Sequence, residues 1–167
     1  SGAVANVVLD DAHLEAVLRL RSLINQGTLL ISGTGSSPDS HRFTLDGADI
    51  DNQGDFELRS NTQNNLVLDC LTVNCGSFFN RPGATLTFND LQGLAIVGGS
   101  LTALNNDGVV DLISGCGMIA PPGIDTGTYQ FNSFCTLAFF TRPGTERVFE
   151  EAVNLVSVGG TGLQLGG

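Results

Sequence analysis

An all-β parallel β-helix, or β-solenoid, of about six coils is the fold this sequence predicts, on three observations. First, a polar turn ending in glycine and followed by a short apolar strand recurs: Asn25-Gln26-Gly27-Thr28-Leu29-Leu30-Ile31, Asn52-Gln53-Gly54-Asp55-Phe56-Glu57-Leu58 and Asn106-Asp107-Gly108-Val109-Val110-Asp111-Leu112. A longer version runs from Phe78-Phe79-Asn80-Arg81-Pro82-Gly83 to Phe88, and returns from Phe139-Phe140-Thr141-Arg142-Pro143-Gly144 to Phe149. Second, these turns place glycine at 27, 54, 83, 108 and 144. The spacing is roughly 25–30 residues up to position 108, a period that marks solenoids. Third, the segments between turns alternate apolar and polar over a few residues, as half-buried strands do. An antiparallel β-sandwich or jelly roll is the alternative, because it also spaces short strands by turns.

The whole chain, 1–167, reads as one domain. Residues 1–9 form an N-terminal extension with no place in the repeat, β-prone at Val7-Val8-Leu9. Residues 10–21 are the helix candidate. Asp10 or Asp11 would accept from the free amides of a first turn, and Leu14, Val17, Leu18 and Arg21 fall on one stripe. The competing pattern, Leu14, Ala16, Leu18 and Leu20, alternates as a strand would. A short helix here would cover the end of the coil, as terminal units of solenoids must. Strands are expected at Leu29-Leu30-Ile31, Phe43-Thr44-Leu45, Ala48-Asp49-Ile50, Phe56 to Leu58, Leu66-Val67-Leu68, Leu71-Thr72-Val73, Phe78-Phe79, Leu86-Thr87-Phe88, Leu94-Ala95-Ile96, Leu101 to Leu104 and Val109 to Ile113. Residues 114–128 break the rhythm with Pro121-Pro122, which cannot donate to an interior ladder, so a loop insertion leaving the coil is expected there. Tyr129 to Phe149 then reads as a repeat of Leu66 to Phe88. Val153 to Leu165 adds a last, uncapped turn.

Composition narrows the partners. The formal net charge is −10, and all seven basic residues are arginine. Such a surface repels phosphate backbones and anionic membranes, so no nucleic acid is expected as partner. Nor is membrane insertion, since no apolar run is long enough to span a bilayer. Cys70, Cys75, Cys116 and Cys135 form no C-x-x-C pair and the two histidines lack zinc-ligand spacing. Two disulfides in an exported protein are the expectation, Cys70–Cys75 and Cys116–Cys135 because each closes a short loop; four free thiols are the alternative.

The repeated Asn-x-Gly-φ-x-φ units resemble those of right-handed β-helical surface and secreted proteins, filamentous-haemagglutinin-like and autotransporter passengers among them. The resemblance covers most of residues 23–165 and implies a parallel β-helix in an extracellular or cell-surface setting.

Candidate chemistry is sparse. Asp46, Asp49, Asp51 and Asp55 cluster in sequence between Arg42 and Arg59, and Asp69 and Asp111 would join them if the register stacks them. Acids beside an arginine are what a polysaccharide lyase or glycosidase would need. Asp49-x-Asp51-x-x-Gly54, with Asp55 following, resembles the start of a calcium loop, but Ser60 stands where that loop requires a bidentate glutamate. His41 beside Asp39 and Ser40 carries no triad argument, since triads meet through the fold; nor does His13. Arg81-Pro82-Gly83 and Arg142-Pro143-Gly144 suit a turn with proline at its first corner position and glycine at its second. In each Phe pair one ring must face outward, serving a subunit contact or a glycan.

No catalytic residue and no cofactor is expected. The function expected is a non-enzymatic extracellular structural protein: a self-assembling filament, fibre or surface-layer subunit, or an adhesin module. A carbohydrate-active β-helix enzyme or glycan-binding module is the alternative. The expected contact is head-to-tail, through Val4, Val7, Val8 and Leu9 at one end and Val156, Val158, Leu163 and Leu165 at the other, because an unpaired strand edge is a template for another chain.

Overall fold

The computed structural model describes residues 3–10, 12–19, 21–35, 41–60, 66–70, 75–90, 96–97, 101–114, 117–119, 121–132, 136–140, 146–158 and 162–166. Every named strand pair in it is parallel, and the chain winds as a β-solenoid. Strands succeed one another in triplets, one per face. They are β1 (Val4–Leu9), β2 (Glu15–Arg19), β3 (Leu23–Asn25); β4 (Thr28–Gly33), β5 (His41–Asp46), β6 (Ile50–Asn52); β7 (Asp55–Ser60), β8 (Leu66–Asp69), β9 (Ser77–Asn80); β10 (Thr85–Asp90), β11 (Ile96–Val97), β12 (Ala103–Asn106). Then come β13 (Val109–Ser114), β14 (Gly117–Ile119), β15 (Gly123–Asp125); β16 (Thr128–Asn132), β17 (Thr136–Phe140), β18 (Arg147–Phe149); and finally β19 (Asn154–Val158) and β20 (Gly162–Gly166). The first sheet has seven strands, β1-β4-β7-β10-β13-β16-β19, slightly more than the six coils expected. The third has six, from β3 to β18. The second face comes in two pieces, β2-β5-β8-β11 and β14-β17-β20.

The core lies inside the coil, where each inward position stacks on its equivalent one rung away. Phe56 pairs with Leu29 and Leu86, Leu58 with Ile31 and Phe88, and all but Leu29 are essentially solvent-free. Phe56 meets Phe78 edge-to-face at 5.2 Å, an arrangement favoured by ring quadrupoles. At the corner into the first sheet the backbones of successive rungs close tightly. The amide of Asp55 donates to the Gly27 carbonyl and that of Thr128 to Gly108, at 2.8 Å each. A Cβ at Gly54 would overlap the Gly27 carbonyl oxygen, and one at Gly127 the Gly108 oxygen.

Four sequence expectations need correction. Residues 10–21 hold no helix among the described positions. Asp10 does accept from the amides of Ala12 and His13, but in a turn between β1 and β2. The alternating pattern prevails because β5 offers an edge: Glu15 to Arg19 pair with Arg42 to Asp46, Ala16 and Leu18 turn inward, and Arg19 Nε reaches Asp46 at 2.7 Å. A helix this short has too few internal hydrogen bonds to compete with a ladder. Second, residues 1–9 do not stand outside the repeat: β1 is the first rung of the first sheet, paired with β4 from Val4 to Leu9.

Third, residues 114–128 are not a loop leaving the coil, since β14 and β15 lie within them. Pro121 and Pro122 fall between strands, where no ladder amide is needed, and the Pro122 carbonyl accepts from Leu104 at 2.9 Å. Fourth, the two Arg-Pro-Gly stretches are not equivalent. Gly83, at φ +80°, sits in a turn that delivers Ala84, not itself, to the stacked corner column, and Gly108 and then Gly127 continue that column. The first stretch joins the third sheet to the first; the second, whose residues 141–145 lie outside the described ones, comes between β17 and β18. Phe78 and Phe139 therefore belong to different faces.

Candidate functional site

The acidic cluster does not converge. Asp46 ends β5 on the second face, Asp51 lies on β6 in the third sheet, and Asp55 opens β7 in the first. Each is engaged locally or faces solvent. Asp46 pairs with Arg19 and Asp51 with Arg81 at 2.6 Å, while Asp49 accepts from the Ser77 amide at 2.8 Å. The flanking arginines also turn elsewhere: Arg59 grips Glu57 at 2.8 Å, and Arg42 lies 4.0 Å from Asp69. Asp69 shares the second face with Asp46, and Asp111 lies on β13 in the first sheet. Among the described residues no group of three His, Cys, Asp or Glu side chains is placed to hold a metal ion. The Arg81 guanidinium beside Asp51 holds its carboxyl below the ordinary value of 3.8. The same guanidinium lies 5.0 Å from the centre of the Phe79 ring, a cation–π contact on the outer face, while Phe78 is fully buried. One ring of that pair does face outward, as expected. The side chains of Phe139 and Phe140 lie outside those described.

His13 is exposed and hydrogen-bonded to Asp10 at 2.9 Å. His41 is buried in β5, and neither ring nitrogen has a hydrogen-bond partner. Cys70 and Cys75 form the expected disulfide, across the corner between β8 and β9. Cys116 and Cys135 lie outside the described residues, each one position before the paired Gly117 and Thr136.

Two polar constellations inside the coil escaped sequence reasoning. One is a ladder of buried asparagines at the third-sheet corner. Asn25 donates to Asn52, Asn52 to Asn80 and Asn80 to Asn106, at 2.8, 2.9 and 2.9 Å. Each Nδ2 also donates to a backbone carbonyl: Asp55, Thr85, Val109 and Thr128 in turn. The signal was present in the Asn-x-Gly spacing, but Asn80, three residues before its glycine, hid the register. The ladder stops at Asp125, which stands opposite Asn106. Its Oδ1 accepts from Tyr129 at 2.8 Å and from Arg147 at 2.6 Å, and Arg147 also donates to the Tyr129 hydroxyl and the Pro121 carbonyl. Both side chains of this ion pair are essentially solvent-free, at 2% and 0% exposure. Burial pushes the Asp125 carboxyl above the usual carboxylate range, against the pull of Arg147, and pushes the Tyr129 phenol up as well. These groups neutralise one another in the interior, a structural arrangement, with Asp125 Oδ2 left buried without a hydrogen-bond partner.

What faces outward is concentrated at the two ends. The exposed large apolar side chains are Val4, Val8, Val17 and Ile24 on β1–β3, and Ile124, Val148, Phe149 and Leu155 on β15, β18 and β19. Among the described residues none falls on β4 to β14, and β15 is itself paired along both edges. Among the described residues, β1, β2 and β3 at one end, and β18, β19 and β20 at the other, are each hydrogen-bonded along one edge only. At the β1–β3 end a groove of about 500 Å³ opens between Ala3, Ala5, Leu23, Ile24, Gly27 and Leu29. Of the expected assembly residues, Val4 and Val8 are exposed, whereas Leu9 is core and Val7 packs against it. Val156 is half-buried on β19, and the side chains of Val158, Leu163 and Leu165 are outside those described. Sequence reasoning missed Phe149 and Leu155 because each stands in a column whose members are buried on the inner rungs, and Ile24 because it faces outward beside the buried Asn25.

Compared with protein-family models, with curated proteins and with solved structures, the chain matches none.

Proposed function

We propose that this chain is a non-enzymatic structural subunit that associates head-to-tail with copies of itself through the two ends of its solenoid. The observation that carries the reading is that, among the described residues, exposed large apolar side chains lie on β1–β3 at one end and on β15, β18 and β19 toward the other. Scattered singly, such residues would need no explanation; grouped beside unpaired ladder edges, they suit a contact. The two end surfaces differ, so the contact is heterologous and propagates into a filament unless its rotation closes a ring. An extracellular or cell-surface setting, like that of filamentous-haemagglutinin-like and autotransporter-passenger proteins, accords with the Cys70–Cys75 disulfide, since disulfides persist in oxidising compartments.

Light scattering and sedimentation of the purified chain over a range of concentrations test this. Concentration-dependent growth is expected, and deleting residues 1–9, which removes β1 and its edge, abolishes it. A full chain that stays monomeric at high concentration, or a truncated one that assembles as the full chain does, overturns the reading.

A further inference from the structure

We infer that the contact between copies closes two faces of the solenoid and leaves the third a strand short. β19 and β20 of one copy pair in parallel with β1 and β2 of the next, while β18 and β3 stand two rungs apart with a strand-wide slot between them. This rests on the self-association reading and adds to it which faces join and where the join stays open.

The number of rungs on each face sets this arrangement. Among the described residues the first face has seven, β1 to β19, and the second has seven, β2 to β20 in its two pieces; the third has six, β3 to β18. A copy stacked with its faces in line sets β1 on β19 and β2 on β20 together, each as an eighth rung. Its β3 is then an eighth rung as well, whereas β18 is a sixth. With rungs about 4.8 Å apart, β18 and β3 face each other across roughly 9.6 Å, which is room for one extended strand.

The end side chains suit that offset. One inward column of the first face begins at Ala5, passes Leu29 and Phe56, and ends at Tyr129 and Leu155. It starts small, beside the open groove, and finishes in a side chain 47% exposed, so direct stacking sets bulk where the head is short of it. The asparagine column of the third face begins at Asn25 and ends at Asp125 and Phe149. There a rung is missing between copies, and a phenylalanine, 41% exposed, stands at the vacancy. Leu23, Ile24 and Asn25, which line the groove, form the head side of the same slot.

The backbone carries the register on the first face. At its corner an amide donates to the carbonyl one rung back, Thr28 to Ala3 at the head and Asn154 to Gly127 at the tail. The next bond of that series is the Val4 amide to the partner's Val153 carbonyl, which puts Val4 opposite the partner's Asn154. The corresponding series of the third face, Gln53 to Asn25 through Glu150 to Asp125, does not continue across the join. The Gln26 amide and the partner's Phe149 carbonyl are left as the two polar edges of the slot.

Cysteine pairing in the full chain tests the arrangement. Val4 and Asn154 are exposed ends of one outward column of the first face. Ile24 and Val148 are exposed ends of an outward column of the third. Across the join the first pair of Cα atoms lies about 5 Å apart, within disulfide reach, and the second about 10 Å apart, beyond it. Val4→Cys/Asn154→Cys, mildly oxidised and run on a non-reducing gel, is expected to give a ladder of covalent multimers at least tenfold faster than Ile24→Cys/Val148→Cys. Equal rates, or a faster third-face pair, overturn the arrangement and leave self-association standing. Electron microscopy of filaments of the unmodified chain gives a second reading that no substitution can disturb. Seven rungs per copy set an axial repeat of roughly 34 Å, and a six-rung repeat of roughly 29 Å overturns the arrangement in the same way. A chain that does not assemble at all overturns both.

Discussion

Asn52 is the residue whose loss is most diagnostic of how the interior is held. It accepts from Asn25 and donates to Asn80 and to the Thr85 carbonyl, with no solvent to take over. Asn52→Ala strands acceptors above it, and a loss of about 2–4 kcal/mol is expected by urea denaturation. Asn52→Asp is expected to be worse, since it sets carboxylate oxygens against two buried acceptors. The end of the ladder obeys a different rule. Arg147→Met leaves Asp125 buried without its counter-charge and is expected to cost about 3–5 kcal/mol. Asp125→Asn/Arg147→Met, which removes both charges, is expected to recover most of that, because the penalty is the unpaired charge and not the missing attraction. Acid acts on the two carboxyls with opposite sign. Asp51 is held below its ordinary 3.8, so its contribution is complete above that value and is lost as pH falls through the lower, folded-state one. The stability gap between the wild type and Asp51→Asn is therefore expected to close below about pH 3.8. Asp125 is raised, binds its proton more tightly folded than unfolded, and is expected to gain the native state stability as pH falls through its raised value toward 3.8, before Asp51 begins to lose its own.

Among the elements, the corners are less tolerant than the strands. Gly54→Ala drives a methyl into the Gly27 carbonyl, and neither backbone can retreat without breaking the Asp55 amide bond to that same oxygen. A loss of about 2–3 kcal/mol is expected by thermal melting, whereas Gly83→Asn, in open space at positive φ, is expected to cost well under 1 kcal/mol, asparagine being tolerated there. The disulfide closes a five-residue separation, so Cys70→Ser/Cys75→Ser is expected to cost about 2 kcal/mol, the entropy of so short a loop. β2 carries the lesson on legibility at this scale. Residues 14–20 satisfy the helical stripe and the strand alternation nearly equally well, and only the free edge of β5 decides between them.

For the whole molecule, the net charge of −10 opposes association while the apolar ends favour it. Salt screens the first and leaves the second. Self-association measured by sedimentation is thus expected to strengthen as sodium chloride rises from 50 to 500 mM; weakening would mean that ion pairs, and not apolar contact, hold the copies together. Sulfate is expected to strengthen it further, as it does apolar burial in general.

The sequence by itself determined the parallel solenoid, the corners at Gly27, Gly54 and Gly108, the Cys70–Cys75 disulfide and the outward ring of the Phe78-Phe79 pair. Each depends on neighbours close along the chain: a turn needs its glycine, a half-buried strand its alternation, a short loop its two cysteines. Only the tertiary structure decided the rest. Whether Asp46, Asp49, Asp51 and Asp55 meet depends on the corners between them, which send them to different faces. Whether Asn80 joins Asn52 depends on the extra residues of the Arg81-Pro82-Gly83 turn, and whether residues 114–128 leave the coil depends on partners for β14 and β15 far along the chain. Exposure at Phe149 and Leu155, in columns buried on the inner rungs, belongs to the same class. No rung among the described residues stacks on them, and burial in a solenoid is a property of the neighbouring coil as much as of the residue buried.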